Sequence, residues 1–346
     1  MSERTWGFRT RALHAGGAPD PATGARAVPI YQTTSFVFED SADAANLFAL
    51  QKYGNIYSRI GNPTVAAFEE RIASLEGAIG GVAAASGQAA EFLTFSCLVE
   101  SGEHIVSSSG LYGGTVTQLD GTLRRFGVDT TFVAEDGVDA FAAAIRPNTK
   151  LIYTEVVGNP NGRIADLAGL AELAKSHGIP LVVDSTTATP YLCRPIEHGA
   201  DIVLHSATKF LGGHGTVIGG VVVDGGKFEW SKNADKFPGL TQPDPSYHGA
   251  VYTAAVGDGL AYIIKARVQL LRDLGSAIAP ASAWQLIQGI ETLSLRVERH
   301  VQNAQEIAEY LENHPDVASV NYSGLPTSPW YAAANKYAPK GVGAVL

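Results

Sequence analysis

Apolar positions recur along the chain in two periods, and the two alternate. Asn62 can cap and Pro63 can open a helix that presents Val65, Phe68, Ile72 and Leu75 on one face, with Gly77 as its stop. Short β-type runs follow at His104 to Ser107, Thr130 to Val133, Leu151 to Glu155, Leu181 to Asp184 and Ile202 to His205. Between two of these, Asp166 is positioned to cap a segment with Leu167, Leu170, Leu173 and Ala174 on one face, closed by Gly178. Strands that alternate with helices predict an α/β domain around a largely parallel sheet. Polar residues end three of the runs, Glu155, Asp184 and His205, and open α/β sheets take ligands at the carboxyl ends of their strands.

The pattern also divides the chain. Residues 1–60 carry scattered Gly, Pro and polar residues with little periodicity, which predicts an arm that reaches a neighbouring subunit. Residues 61–260 form the alternating α/β body. From 261 to 346 strand signals fade and helices take over, the clearest with Val301, Ala304, Ile307, Ala308 and Leu311 on one face before Pro315. A length of 346 residues suits such a division into a large domain and a smaller one.

Composition narrows the classes of function. A formal charge of −9 opposes nonspecific binding to nucleic acid or to an anionic membrane. The most apolar long stretch, Ala78 to Val99, is broken by Ser86, Gln88 and Glu91, so no spanning helix is expected. The first residues lack the apolar run of a secretory signal, and a cytoplasmic location follows. Cys97 and Cys193 have neither disulfide-framework nor metal-ligand spacing and read as buried free thiols; no metal is expected. Gly212-Gly213-His214-Gly215 lacks the ending of a P-loop, and no Gly-x-Gly-x-x-Gly follows the first strand.

Candidate chemistry begins at His205-Ser206-Ala207-Thr208-Lys209, which places two hydroxyls and an amine at a strand end. Hydroxyls and backbone amides suit a phosphate monoester, and a partly desolvated amine suits imine chemistry with an aldehyde. Taken alone, a lysine beside Ser and Thr more often belongs to a solvated loop. Asp184 would project from its strand end into the same crevice, where it can face a protonated pyridine nitrogen or simply cap the next helix. Ser86-Gly87-Gln88 opens a helix whose amides and dipole can receive a phosphate, or is an ordinary cap. Tyr112, beside two glycines, can stack on an aromatic ring or lie in a surface turn.

Four motifs in order settle the company these residues keep. Tyr57-Ser58-Arg59 with Gly61-Asn62-Pro63-Thr64, then Ala85-Ser86-Gly87-Gln88, Asp184-Ser185-Thr186 and Ser206-Ala207-Thr208-Lys209, resemble the pyridoxal-phosphate (PLP) enzymes of cysteine and methionine metabolism. The resemblance runs from about residue 10 to the end. Pro243 to Gly249 and Gly289 to Leu293 look like its O-acetylhomoserine sulfhydrylase branch. It implies a fold-type I PLP domain with helices on both faces of the sheet, a smaller C-terminal α+β domain, and a homotetramer built as a dimer of dimers.

Carried over by residue, the resemblance implies that Lys209 holds the cofactor as an imine, Asp184 pairs with the ring nitrogen and Tyr112 stacks on the ring. Gly87, Gln88, Ser206 and Thr208 would hold the phosphate, and Asn159 would meet the phenolic oxygen. Tyr57 and Arg59 would reach the phosphate of the adjoining subunit. Gly114 stands where related methionine γ-lyases have a cysteine, which favours γ-replacement over elimination. The implied reaction joins O-acetyl-L-homoserine and sulfide to give homocysteine and acetate. Cystathionine γ-synthase, a γ-lyase and a catalytically silent assembly protein are the alternatives. Gly341 to Leu346 reads as the start of a strand, so the small domain is expected to be incomplete, and the arginine that grips the substrate carboxylate in the family would lie beyond it.

Overall fold

The computed structural model describes residues 6–134 and 137–346. Seven strands form one sheet: β1 (Gly80–Ala84), β2 (His104–Ser108), β3 (Asp129–Val133), β4 (Thr149–Glu155), β5 (Leu181–Asp184), β6 (Ile202–His205) and β7 (Gly220–Asp224). Their spatial order is β1-β7-β6-β5-β4-β2-β3. Neighbours from β6 through β3 pair in parallel, whereas β7 runs antiparallel to both β1 and β6. The five expected runs are all strands; β1 and β7 are additions to them.

Both faces of the sheet are covered, so the parallel strands read as continuous apolar runs. Val106, Ile152, Val183 and Val203 point to one side and pack with Phe68, Ile72 and Leu75 of α3 (Pro63–Glu76) and with Leu167 and Leu170. Ile105, Leu151, Val182 and Leu204 point to the other and pack with Leu93 and Phe95 of α4 (Gly87–Leu98) and with Tyr262 and Ile263. Each fully buried Phe or Leu among them contributes roughly 1.5–3 kcal/mol. Helix α3 has the ends its sequence predicts: Asn62 Oδ1 accepts from the Thr64 amide at 3.0 Å, and Gly77 leaves the helix at φ 76°.

Four local expectations are corrected. Asp166 occupies the cap position of the helix Leu167–Ser176, but its carboxylate accepts from Tyr337 Oη and from Lys336 Nζ at 3.3 Å and makes no cap bond. In the helix Leu293–Glu312, Ala304 and Ala308 are buried while Ile307 is half exposed, because nothing among the described residues covers its side of the turn. Residues 341–346 form no strand, lacking a strand to pair with; Val342 instead packs into the first cluster. His205 turns away from the ligand end of the sheet, since its side chain lies on the α3 face and bonds Glu76 at 2.6 Å.

Residues 6–60 are not extended throughout. Two short helices interrupt them, α1 (Phe8–His14) and α2 (Ser41–Phe48), the first packed on α3. Cys97 and Cys193 are buried free thiols. Among the described residues no strand follows β7, and no helix is long and apolar enough to cross a membrane.

Candidate active site

The carboxyl ends of β4, β5 and β6 open into a cavity of about 610 Å³. Its walls include Gly87 and Gln88 from the start of α4, Tyr112 and Asn159 from loops, Asp184, and Ser206, Thr208 and Lys209 after β6. Eight of the residues singled out in the sequence therefore meet in one place. Tyr57 and Arg59 do not: they lie outside this chain's cavity, the guanidinium 5.3 Å from the tyrosine ring centre.

One end of the cavity is rich in donors. Ser86 Oγ caps α4 by accepting from the Ala89 amide at 3.1 Å, which leaves the Gly87 and Gln88 amides without intrahelical acceptors. Glycine is required here by close approach: a Cβ at Gly87 would lie 2.6 Å from Ser206 Cβ. Ser206 Oγ makes no hydrogen bond among the described residues, while its amide donates to Thr186 Oγ1 at 2.8 Å. Thr208 differs from the expectation of a free donor, because its hydroxyl donates to Gly219 O and accepts from Gly219 N, both at 3.1 Å.

The adjoining wall is acidic, and the two groups meet where Gln88 Nε2 donates to Glu91 Oε2 at 3.3 Å. Asp184 Oδ1 accepts from the Thr186 amide at 2.7 Å, and burial pushes its carboxyl above the ordinary range, opposed by the bonds from Thr186. Glu155 is buried beside it and is likewise pushed up, first by burial and then by the charge of Asp184. Glu91 is held up to about 8, again chiefly by burial and next by Asp184. No Lys, Arg or His forms an ion pair with any of the three among the described residues. A protonated ring nitrogen would supply the missing cation, and the neighbouring donors suit a phosphate.

Lys209 is exposed to the same cavity, and its amine makes no hydrogen bond or ion pair among the described residues. The Tyr112 ring is half exposed beside it. Gly114 leaves room for that ring, since a Cβ there would lie 2.5 Å from Tyr112 Cε1.

Sequence reasoning noted Glu155 only as a polar strand end and missed its job. Oε1 accepts from the Tyr112 amide at 2.6 Å and Oε2 from the Asn159 amide at 3.1 Å, so one buried carboxylate fixes two cavity loops. Its place at the end of β4, four residues before Asn159, was the available signal. Glu91 was missed because it sits in an apolar run, although it follows Gly87 by one helical turn. His300 and Val345 also line the cavity and carry no signal in the sequence pattern.

Comparison with known proteins agrees with this chemistry. A family model described as Cys/Met metabolism PLP-dependent enzyme matches residues 9–346. The chain is 52% identical over 348 aligned positions to the sulfhydrylase FUB7 of Fusarium oxysporum, covering 100% of this chain and 80% of that protein. It is 50% identical to the O-acetyl-L-homoserine sulfhydrylase of Leptospira meyeri, covering 97% and 78%. The crystal structure of metY from Campylobacter jejuni, which carries N'-pyridoxyl-lysine-5'-monophosphate, superposes with a TM-score of 0.94 at 38% identity, covering 98% and 84%. Donor cradle, acidic wall and lysine thus sit in a chain that belongs to the PLP-dependent enzymes of cysteine and methionine metabolism.

Proposed function

We propose that the protein replaces the acetoxy group of O-acetyl-L-homoserine with sulfide, releasing acetate and L-homocysteine. The observation that carries this reading is the cavity itself, which brings together phosphate donors, an acidic wall and a lysine unpaired among the described residues, in a chain half identical to sulfhydrylases of that substrate. When bound, PLP supplies an electron sink that stabilises negative charge on the amino-acid carbons.

The chain's own residues supply the rest. Lys209 would hold the cofactor, and its amine would move protons at Cα and Cβ of the substrate. Asp184 would keep the ring nitrogen protonated, Tyr112 would cover the ring and Asn159 would meet the phenolic oxygen. The Gly87 and Gln88 amides and the Ser206 hydroxyl would hold the phosphate, with Thr208 bracing its loop against Gly219. Acetate leaves from Cγ, and hydrosulfide adds at that carbon.

Tyr57 and Arg59 are assigned to the phosphate of a neighbouring subunit in a homotetramer of paired dimers. The exposed apolar residues of their segment, Ile30, Val37, Tyr53 and Tyr57, support such a contact. A cytoplasmic location suits two buried, unpaired thiols.

Purified protein supplied with PLP, O-acetyl-L-homoserine and sulfide is expected to form homocysteine. Failure with the acetyl, succinyl and phosphoryl esters alike would sink the assignment. Release of 2-ketobutyrate without a nucleophile would instead mark a lyase, and cystathionine formation from cysteine a γ-synthase.

A further inference from the structure

The loop that carries Lys209 is gripped from behind. Arg296, in the first turn of the helix Leu293–Glu312, donates from Nη1 to Phe210 O at 2.8 Å. Its Nη2 donates to Leu211 O at 3.3 Å and to Gly289 O at 2.6 Å, and Nε to Thr292 Oγ1 at 3.0 Å. No carboxylate pairs with this guanidinium among the described residues; carbonyl dipoles and one hydroxyl meet its charge. Gly289 lies near the carboxyl end of the helix Pro280–Glu291, where a cation is favoured. Only the planar five-donor fork of arginine reaches carbonyls on two separate segments at once.

Two glycines make the grip possible. A Cβ at Gly213 would lie 2.0 Å from Arg296 Nη1, and one at Gly289 would lie 2.3 Å from Gly212 O. The Gly213 amide closes the turn by donating to Lys209 O at 2.7 Å. Phe210 and Gly213 line the cavity with Lys209, so the guanidinium stands immediately behind the cavity wall.

We propose that Arg296 is a positioning residue for Lys209, fixing the Phe210 to Gly213 turn so that the lysine side chain leaves the backbone from one place. It thereby ties the helical part of the chain after residue 280 to the reacting amine. The proposal rests on Lys209 being the residue that bonds PLP.

The test compares the full chain with its Arg296→Gln and Arg296→Lys variants. Amide hydrogen exchange at residues 210–213 should rise about tenfold or more in the glutamine variant, with the sheet unchanged. Borohydride fixation of PLP on Lys209, read by mass, should slow by a similar factor, and kcat should fall more than KM for the acylated homoserine changes. The lysine variant should recover part of each loss. Unchanged exchange and fixation in folded Arg296→Gln would overturn the proposal. Should that variant fail to fold, Thr292→Val, which removes the Nε contact together with the hydroxyl's own bond to Gly289 O at 3.3 Å, should show the same changes in smaller measure, and no change there would also overturn it. Wild-type protein that fixes no PLP at Lys209 would break the reading of the site instead.

Discussion

The two ends of the sheet treat polar groups in opposite ways. At the amino end most polar side chains, buried or exposed, have found a partner within the chain, with Thr130 Oγ1 and Asp224 Oδ2 the buried exceptions among the described residues. His104 bonds Thr149 Oγ1 at 2.8 Å and Thr131 Oγ1 at 2.9 Å, one hydroxyl for each ring nitrogen. Arg146 bridges Asp129 and Thr131, both at 3.0 Å, and Asp201 Oδ2 accepts from the Leu181 amide at 2.9 Å. At the carboxyl end Asp184, Glu155 and Glu91 crowd together with no basic ion-pair partner among the described residues, and Lys209 makes no ion pair with them. Unpaired buried charge costs stability, so an arrangement that keeps it is one whose charges serve another molecule. The amino end is built for folding and the carboxyl end for chemistry.

That contrast is open to direct attack. Lys209→Ala should lower turnover by about a thousandfold or more while leaving the thermal midpoint of the cofactor-free protein in place. Steady-state rates beside calorimetry would check both halves, and an active alanine variant would erase the division. Asp184→Asn should cost about a hundredfold or more in turnover. The same change should hold or raise the stability of the cofactor-free protein, because it removes a carboxylate whose charge burial disfavours. Loss of stability in a denaturant titration would show that Asp184 is structural.

Thr149→Val strikes the other end. It leaves His104 Nδ1 and the Arg146 amide without their acceptor or donor, and should destabilise by about 1–3 kcal/mol with kcat unchanged. The smallest effect is a pH dependence. Burial, and then the charge of Arg146, hold His104 down to about 4, below its ordinary 6.5. The unfolded chain therefore binds the extra proton first as pH falls. Stability from this group is complete above 6.5 and is lost progressively toward pH 4, and His104→Gln should flatten that part of the curve. A slope unchanged by the substitution would assign it to other groups.

How much of this was legible in the sequence follows the same division. The central parallel strands β2, β4, β5 and β6 announce themselves because both of their faces are buried, which writes runs of Val, Ile and Leu into the chain, whereas the edge strand β3, Asp-Thr-Thr-Phe-Val, is only partly buried. Strand β1, Gly-Gly-Val-Ala-Ala, does not: small residues carry little β preference, and it merges with the apolar stretch that becomes α4. The three valines of β7 follow a glycine-rich loop that hides where the strand begins. At the site, residues that touch a ligand sit in short motifs, and so Lys209, Asp184 and Gly87 could be named. Residues that act through others leave no such mark. Glu155 and Arg296 each join a near partner to a distant one, Tyr112 for the first and Phe210 and Leu211 for the second, and only the folded chain shows the distant addresses.

The connection between β6 and β7 has one more consequence, for those who would remodel the protein. Its stems are pinned to each other where Thr208 meets Gly219, and to the helix start, since a Cβ at Gly220 would lie 2.0 Å from Ser86 O. Its tip, residues 213–216, is exposed. Length is therefore negotiable only at the tip. A residue inserted beside Gly215 lengthens a solvent-facing bend, whereas the same insertion beside Ala207 or Ile218 slides one stem past the other and carries the lysine away from its cavity. Loop grafting in this scaffold has a narrow window, and the sheet itself sets its edges.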